Sequence, residues 1–259
     1  MLKYCSLYSG SSGNSFFIQS NNTNILIDVG VSLKKLTSAL SNFNVDINDI
    51  NAILITHEHS DHTKGLSSII KKYNLPVFIN KQTWDALGDI KKDLPESNII
   101  FFDLLNEFII GDFTIFSFPI PHDAANPCGF NINYKNKKIS IATDIGYVSN
   151  DLLNYLKNST SILLEANYDP EILKYSSYPY LLKRRIASND GHLSNEIAGQ
   201  TIKTLCKFGL KDALLIHLSK ENNFPELAYK TVINEIADCN NFNLNIAPRN
   251  EPSKMINVV

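Results

Sequence analysis

Ala52-Ile53-Leu54-Ile55-Thr56-His57-Glu58-His59-Ser60-Asp61-His62 is the stretch from which the rest of this chain is best read. Its first four residues form an apolar run suited to a buried strand, and the chain turns polar at Thr56. Three histidines and one aspartate then fall between His57 and His62. Alternate side chains at a strand end share a face, so His57 and His59 can converge. Once the chain turns, Asp61 and His62 can approach from the side. Two imidazoles suit zinc, and a further imidazole with a carboxylate makes a second pocket for a divalent ion. The competing reading is a solvated polar loop, which leaves three histidines packed around an aspartate without a task.

The chain has 6 histidines, and the other three each follow a strand-like run. His122 ends FSFPIPHD, His217 lies in ALLIHLS, and His192 sits in GHLSNE just ahead of a helix. A lone histidine at such a place is ordinarily structural. An unfinished metal site elsewhere in the chain changes that expectation. Asp144 ends KISIATD, and by itself is equally a helix cap or a loop residue.

Working outward, the elements alternate. SFFIQS and NILIDVG read as strands, and VSLKKLTSAL as a helix that Ser32 can cap. KGLSSIIKKY reads as a helix, PVFIN as a strand, and 82–87 as a short helix. NIIFF, EFIIGDFTIFSFPI and FNINYKNKKISIATD read as strands, with KNKK at a hairpin tip. SNDLLNYLKN is helical and TSILLEAN a strand, while 169–191 reads as irregular. LSNEIAGQTIKTLCKF is an amphipathic helix with Ile197, Thr201, Ile202 and Leu205 on one side. ALLIHLS, PELAYKTVINEIAD and NFNLNIA complete a strand–helix–strand ending, with Pro225 in the helix's first turn. No linker or repeat divides the chain, so one layered α/β domain over 1–259 with mixed sheets is expected.

Composition narrows the classes. At 259 residues, 44% hydrophobic and 10% aromatic, the chain can bury a core and is neither disordered nor collagen-like. No apolar run approaches the ~18 residues of a membrane span, and the N-terminal stretch has no signal-peptide pattern. The 4 cysteines form no CxxC pair, so free thiols in a reducing cytoplasm are expected, with Cys206 in the core. A net charge of −2 gives no global pull toward nucleic acid, so any such pull must be local. Lys, at 21, far outnumbers Arg, at 3, which makes the adjacent Arg184 and Arg185 conspicuous.

HEHSDH resembles the HxHxDH signature of the metallo-β-lactamase fold superfamily, and the chain is similar throughout to its YycJ/WalJ type of nuclease-like proteins. GSSGNS (10–15), LITHEHSDHTKG (54–65), PHDA (121–124), TDIGYV (143–148), LLEANYD (163–169), GHLSNE (191–196) and HLSKENNFPELA (217–228) carry the likeness. It implies an αββα four-layer sandwich of two mixed β-sheets flanked by helices, with two divalent metal ions, Zn²⁺, Mn²⁺ or Fe, at one sheet edge. His57, His59 and His122 would hold one ion and Asp61, His62 and His217 the other. Asp144 would bridge them, and Asp28 would orient the cluster from behind.

The same resemblance implies phosphodiester hydrolysis by a hydroxide shared between the ions, with Asp61 beside it. DNA is the expected substrate, an exonuclease the expected activity, and DNA repair the expected setting. His192 would be the general acid, oriented by Glu165, although His192 can also be read as the cap of the following helix. Arg184 and Arg185 have the fork geometry for phosphate. Ser12 and Asn14 lie in a loop whose N–H groups can meet a phosphate, or which is simply a hairpin turn. Tyr175, Tyr178 and Tyr180 can stack on bases, though packing is their commoner role. Two other readings stand beside the nuclease: an ester or thioester hydrolase for small molecules, and a metal-stabilised binding module. Oligomeric state is left open.

Overall fold

The computed structural model describes residues 1–259, the side chain of Asp93 apart. The first half runs β1 (Lys3–Tyr8), β2 (Ser15–Gln19), β3 (Asn24–Ile27), α1 (Leu33–Ser41), β4 (Ala52–Leu54), α2 (Ser60–Thr63), α3 (Leu66–Tyr73), β5 (Val77–Asn80), α4 (Lys81–Ala86) and β6 (Ile99–Phe102). Then follow β7 (Glu107–Ile110), β8 (Phe113–Pro119), β9 (Cys128–Tyr134), β10 (Lys137–Ala142), α5 (Asn150–Leu156), β11 (Ser161–Glu165), α6 (Pro170–Tyr175), α7 (Tyr180–Ile186) and α8 (Asn195–Cys206). The chain ends with β12 (Asp212–Ile216), α9 (Pro225–Glu235), β13 (Asn243–Ile246) and β14 (Ile256–Asn257).

Two seven-stranded sheets result, in the orders β14-β1-β2-β3-β4-β5-β6 and β13-β12-β11-β10-β9-β8-β7. Each sheet is antiparallel in one part and parallel in the other. The parallel runs are β3 to β6 in the first and β10 to β13 in the second. Strand alternation sorts the apolar side chains into layers. Phe16, Ile25, Ile27 and Leu54 face Phe130, Ile141, Leu163 and Ile216 between the sheets. Phe17, Leu26 and Ile53, on the other face of the first sheet, pack on α1 and α3. Ile162, Leu164 and Leu215 pack on α5, α8 and α9. This is the αββα sandwich expected from the sequence.

Local signals explain the boundaries. Ser32 caps α1 by accepting from the Lys35 N–H, and Pro225 occupies the first turn of α9. Several expectations need correcting. Residues 169–191 are not irregular: they hold α6, capped by Asp169, and α7. α7 buries none of its residues, so it has no apolar stripe from which a helix could be read. Ile197 is 40% exposed, and the inner face of α8 is instead Ala198, Gly199, Thr201, Ile202 and Leu205. The hairpin tip is Lys135-Asn136, while Lys137 and Lys138 already lie in β10. Cys206 is half-buried at the rim of the helical layer, and all four cysteines are free. Among the described residues no helix is long and apolar enough to cross a membrane.

Candidate metal centre and cleft

The C-terminal ends of β3, β4, β10, β11 and β12 meet at one edge of the sandwich. Three residues just past these strands, Asp28, Asp144 and His217, adopt left-handed backbone with φ of 59°, 57° and 56°. Non-glycine residues rarely do so, and such strain gathers at functional sites. The 56–62 segment is held by backbone bonds: Val29 N–H to the His62 carbonyl at 2.9 Å and Asn14 N–H to the Asp61 carbonyl at 2.7 Å. Gly30 lies so close that a Cβ there would strike the Asp61 carbonyl, which fixes glycine at that position.

Five of the six imidazoles have one nitrogen tied down, His59 being the exception. His62 Nδ1 lies 2.7 Å from Asp28 Oδ2, and Asp28 also accepts from Thr56 N–H at 2.9 Å and Thr56 Oγ1 at 2.8 Å. His57 Nδ1 is 3.0 Å from Thr56 Oγ1, and His122 Nδ1 is 3.1 Å from the Gly191 carbonyl. Glu165 Oε1 meets both His217 Nδ1, at 2.9 Å, and His192 Nδ1, at 2.8 Å. Its Oε2 accepts from the Ile145 and Leu193 N–H groups. A ring nitrogen fixed in this way orients the other for a metal.

The other nitrogens converge. His57, His59 and His122 bring donor atoms within 4.8 Å of one another, as do Asp61, His62 and His217. Asp144 stands between the groups, 3.2 Å from His62 Nε2, 3.1 Å from His217 Nδ1 and 3.8 Å from His122 Nε2. Among the described residues, His57 Nε2 and His217 Nε2 are buried without a hydrogen-bond partner. An unanswered buried nitrogen is costly, so imidazoles and carboxylates arranged this way fit a divalent cation. The fold and these clusters support divalent metal binding.

Electrostatics divide the histidines. Burial, helped by the neighbouring imidazoles of His62 and His122, pushes His57 well below the usual histidine range. Burial also lowers His122, against the pull of Asp144. Burial opposes the charged form of His217 too, but Asp144, Asp61 and Glu165 outweigh it and raise the group to about 10. For His62, Asp28, Asp144 and Asp61 outweigh burial in the same way. His192 is raised because Glu165 more than offsets its burial. Asp144 is held far below the carboxylate range, since His217, His62 and His57 overcome its desolvation.

A cleft of ≈ 270 Å³ opens over these groups, walled by Ser11, Tyr178, Leu182, Arg185, Ile186 and Ser219. The remaining predicted residues divide. Arg185 lines the cleft, but its Nε donates to Asp123 Oδ2 at 2.5 Å. Arg184 lies over the Tyr180 ring, 5.9 Å from its centroid, and does not line the cleft. Asn14 is not free for phosphate: it is fully buried, its Oδ1 accepts from Gly10 N–H, and its Nδ2 faces Asp61 and His62. Ser12 is exposed, and its neighbour Ser11 lines the cleft instead. Tyr178 lines the cleft, whereas Tyr175 and Tyr180 are largely exposed. Ser194, not His192, caps α8.

Sequence reading passed over several supports. Thr56 links Asp28 to His57, and Glu58 accepts from the Ala125 N–H at 2.7 Å, gripping the loop that carries His122. Asn223 donates to the Ala166 and Asn167 carbonyls and to Asn195 Oδ1, tying the end of β11 to α8. Polar residues flanking the strand-end motifs were the available signal.

Residues 23–218 match the family described as the beta-lactamase superfamily domain. The exodeoxyribonuclease WalJ of Streptococcus pneumoniae serotype 2 (strain D39 / NCTC 7466) is 40% identical over 237 residues, 91% of this chain and 88% of the relative. The exodeoxyribonuclease YycJ of Bacillus anthracis is 36% identical over 231 residues, covering 89% and 88%. The metallo-β-lactamase fold protein YhfI from Bacillus subtilis superposes with a TM-score of 0.73 at 18% identity, covering 97% of this chain and 98% of the other. Human tRNase Z, short form, gives 0.67 at 17% with full coverage of both. Similarity of 40% along nine-tenths of the chain goes well past a shared architecture: the chain belongs to the β-lactamase superfamily of metallo-β-lactamase fold, alongside the WalJ and YycJ proteins.

Proposed function

We propose that this chain is a metal-dependent exodeoxyribonuclease. The observation that carries the reading is the Glu165–His192 pair, 2.8 Å apart, placed against the imidazole–carboxylate cluster on the floor of an open cleft. The kinship with two exodeoxyribonucleases supports it. Two divalent ions, Zn²⁺, Mn²⁺ or Fe, held by His57, His59 and His122 and by Asp61, His62 and His217 with Asp144 between, would supply Lewis acidity and a water of lowered pKa.

The chain's own groups do the rest. Glu165 Oε1 fixes His192 Nδ1 and favours the imidazolium, so Nε2 carries a proton. His192 is 20% exposed at its side chain and borders the cleft, where that proton can pass to the leaving 3′-oxygen. Asp61 orients toward His62 and His217 on the cleft floor. Arg185, steered by Asp123, offers its remaining N–H groups to the phosphate backbone. The free thiols suit a reducing compartment, the cytoplasm.

End-labelled DNA incubated with the Mn²⁺- or Zn²⁺-loaded protein is expected to shorten from its ends, and the His57→Ala/His59→Ala double variant to leave it intact. Intact DNA with both proteins, alongside turnover of a thioester panel by the wild type, overturns the reading in favour of a small-molecule hydrolase.

A further inference from the structure

The C-terminal segment packs a cation against two segments that wall the same cleft, although Arg249 is not itself one of the lining residues. Arg249, the third arginine of the chain, follows β13 and is half-buried. Its Nη2 donates to the Leu218 carbonyl at 2.6 Å. Leu218 stands between His217 and Ser219, both of which line the cleft. Its Nη1 lies against Gly10, where a Cβ would collide with it, and Gly10 has a φ of 134°. The next residue, Ser11, also lines the cleft. The guanidinium is thus pinned between two cleft-wall segments. The ionisable groups that act on it are Glu221, itself 3.6 Å from Lys220, and the cleft residue Tyr178.

Arg249 has no ion pair among the described residues, and one N–H of its fork is engaged. The two arginines conspicuous in the sequence differ: Arg185 is bound to Asp123, and Arg184 lies over Tyr180. A guanidinium that is oriented, partly desolvated and without a carboxylate in ion-pair contact is suited to a phosphodiester oxygen.

We propose that Arg249 is a phosphate-binding residue, taking a backbone phosphate next to the linkage being cut. This rests on the nuclease reading above. It assigns to the C-terminal segment a part of substrate binding that the 184–185 pair does not supply alone.

The test is a charge-deletion scan: oligodeoxynucleotides in which one linkage at a time is a neutral methylphosphonate. With wild-type protein, one position near the cut is expected to raise KM by about tenfold, the scale of a charge-assisted hydrogen bond. Arg249→Gln is expected to raise KM by a similar factor on natural DNA and to feel no added penalty at that position. Its KM should also lose about one unit of the log–log salt slope. Arg249→Lys should restore the salt slope. A variant that keeps the wild-type KM, or still suffers the full penalty at every linkage, overturns the inference while leaving the nuclease reading intact. A metal-loaded wild type that neither binds nor cuts DNA brings down the nuclease reading, and the inference with it.

Discussion

β10, β11 and β12 run side by side in parallel, and their two ends treat buried polar groups in opposite ways. At the starting ends, Asp212 accepts from the Tyr4 hydroxyl and, at 2.7 Å, from Ser161 Oγ. Lys138 donates to the Tyr155 and Lys157 carbonyls at 2.7 and 2.6 Å. Each of these two buried groups has two hydrogen-bond partners from the protein. At the finishing ends stand Asp144, Glu165 and His217. There His217 Nε2 is buried with no hydrogen-bond partner among the described residues, and Asp144 and His217 take left-handed backbone. A buried polar atom left unpaired costs ~1–3 kcal/mol, so such a group persists where a ligand recovers the loss. Parallel sheets bind their ligands beyond the carboxyl ends of the strands, and the contrast between the two ends gives that rule its chemical content here.

The contrast breaks most visibly at Asp144. Asp144→Asn removes the charge shared by both histidine groups. Metal content should fall, and DNA hydrolysis should drop beyond the ~10–100-fold that loss of a supporting partner costs. Metal analysis with initial rates checks this, and full retention of both would erase the distinction between the strand ends. His192→Ala should lower kcat by ~10²–10⁴, as loss of a general acid does, while metal content holds. If metal is lost as well, His192 is a ligand. Asp28→Asn leaves His62 Nδ1 without its carboxylate and should weaken metal affinity by ~10–100-fold in a chelator competition.

How much of this was legible follows from the same geometry. His57, His59, Asp61 and His62 fall within six positions where an apolar run ends, so sequence alone exposes them. His122, Asp144, Glu165, His192 and His217 come from separate strand ends and a helix start. Read alone they look structural, and it is the family resemblance, carried by the motifs in which they lie, that implies their roles. What the motifs do not show is the partner across a long separation: Glu58 reaches Ala125, Asp123 reaches Arg185 and Asn223 reaches Ala166, while Arg249, which reaches Leu218, lies outside every motif. α6 and α7 were missed for a different reason. α7 puts Leu182, Arg185 and Ile186 on the cleft and buries none of its residues, while the short α6 buries only Leu173, so burial imposes no helical period on either sequence. Asn14 was misread because its loop looks like an anion cradle, whereas two of the loop's N–H groups already serve the Asp61 carbonyl and the Asn14 side chain.

The smallest expected effect lies at the opposite end of the same strands. Burial raises the Asp212 carboxyl above its ordinary value, and the hydroxyls of Tyr4 and Ser161 offset this only in part. A carboxyl raised in the folded state is held more tightly as the neutral acid there than in the unfolded chain. Folding therefore loses stability as pH rises from the ordinary aspartate value through the raised one, and the loss remains at neutral pH. Asp212→Asn supplies a permanently neutral side chain of the same shape. Thermal melts of the metal-free protein from about pH 4, the ordinary aspartate value, up to neutral pH should show the wild type gaining on the variant as pH falls. A constant difference in Tm across that range would mean Asp212 titrates normally. Hydrolysis by the metal-loaded variant should match the wild type, since Asp212 and His217 stand at opposite ends of β12. Loss of hydrolysis without loss of fold would show that the two ends are energetically one unit, and the contrast between them would have to be given up.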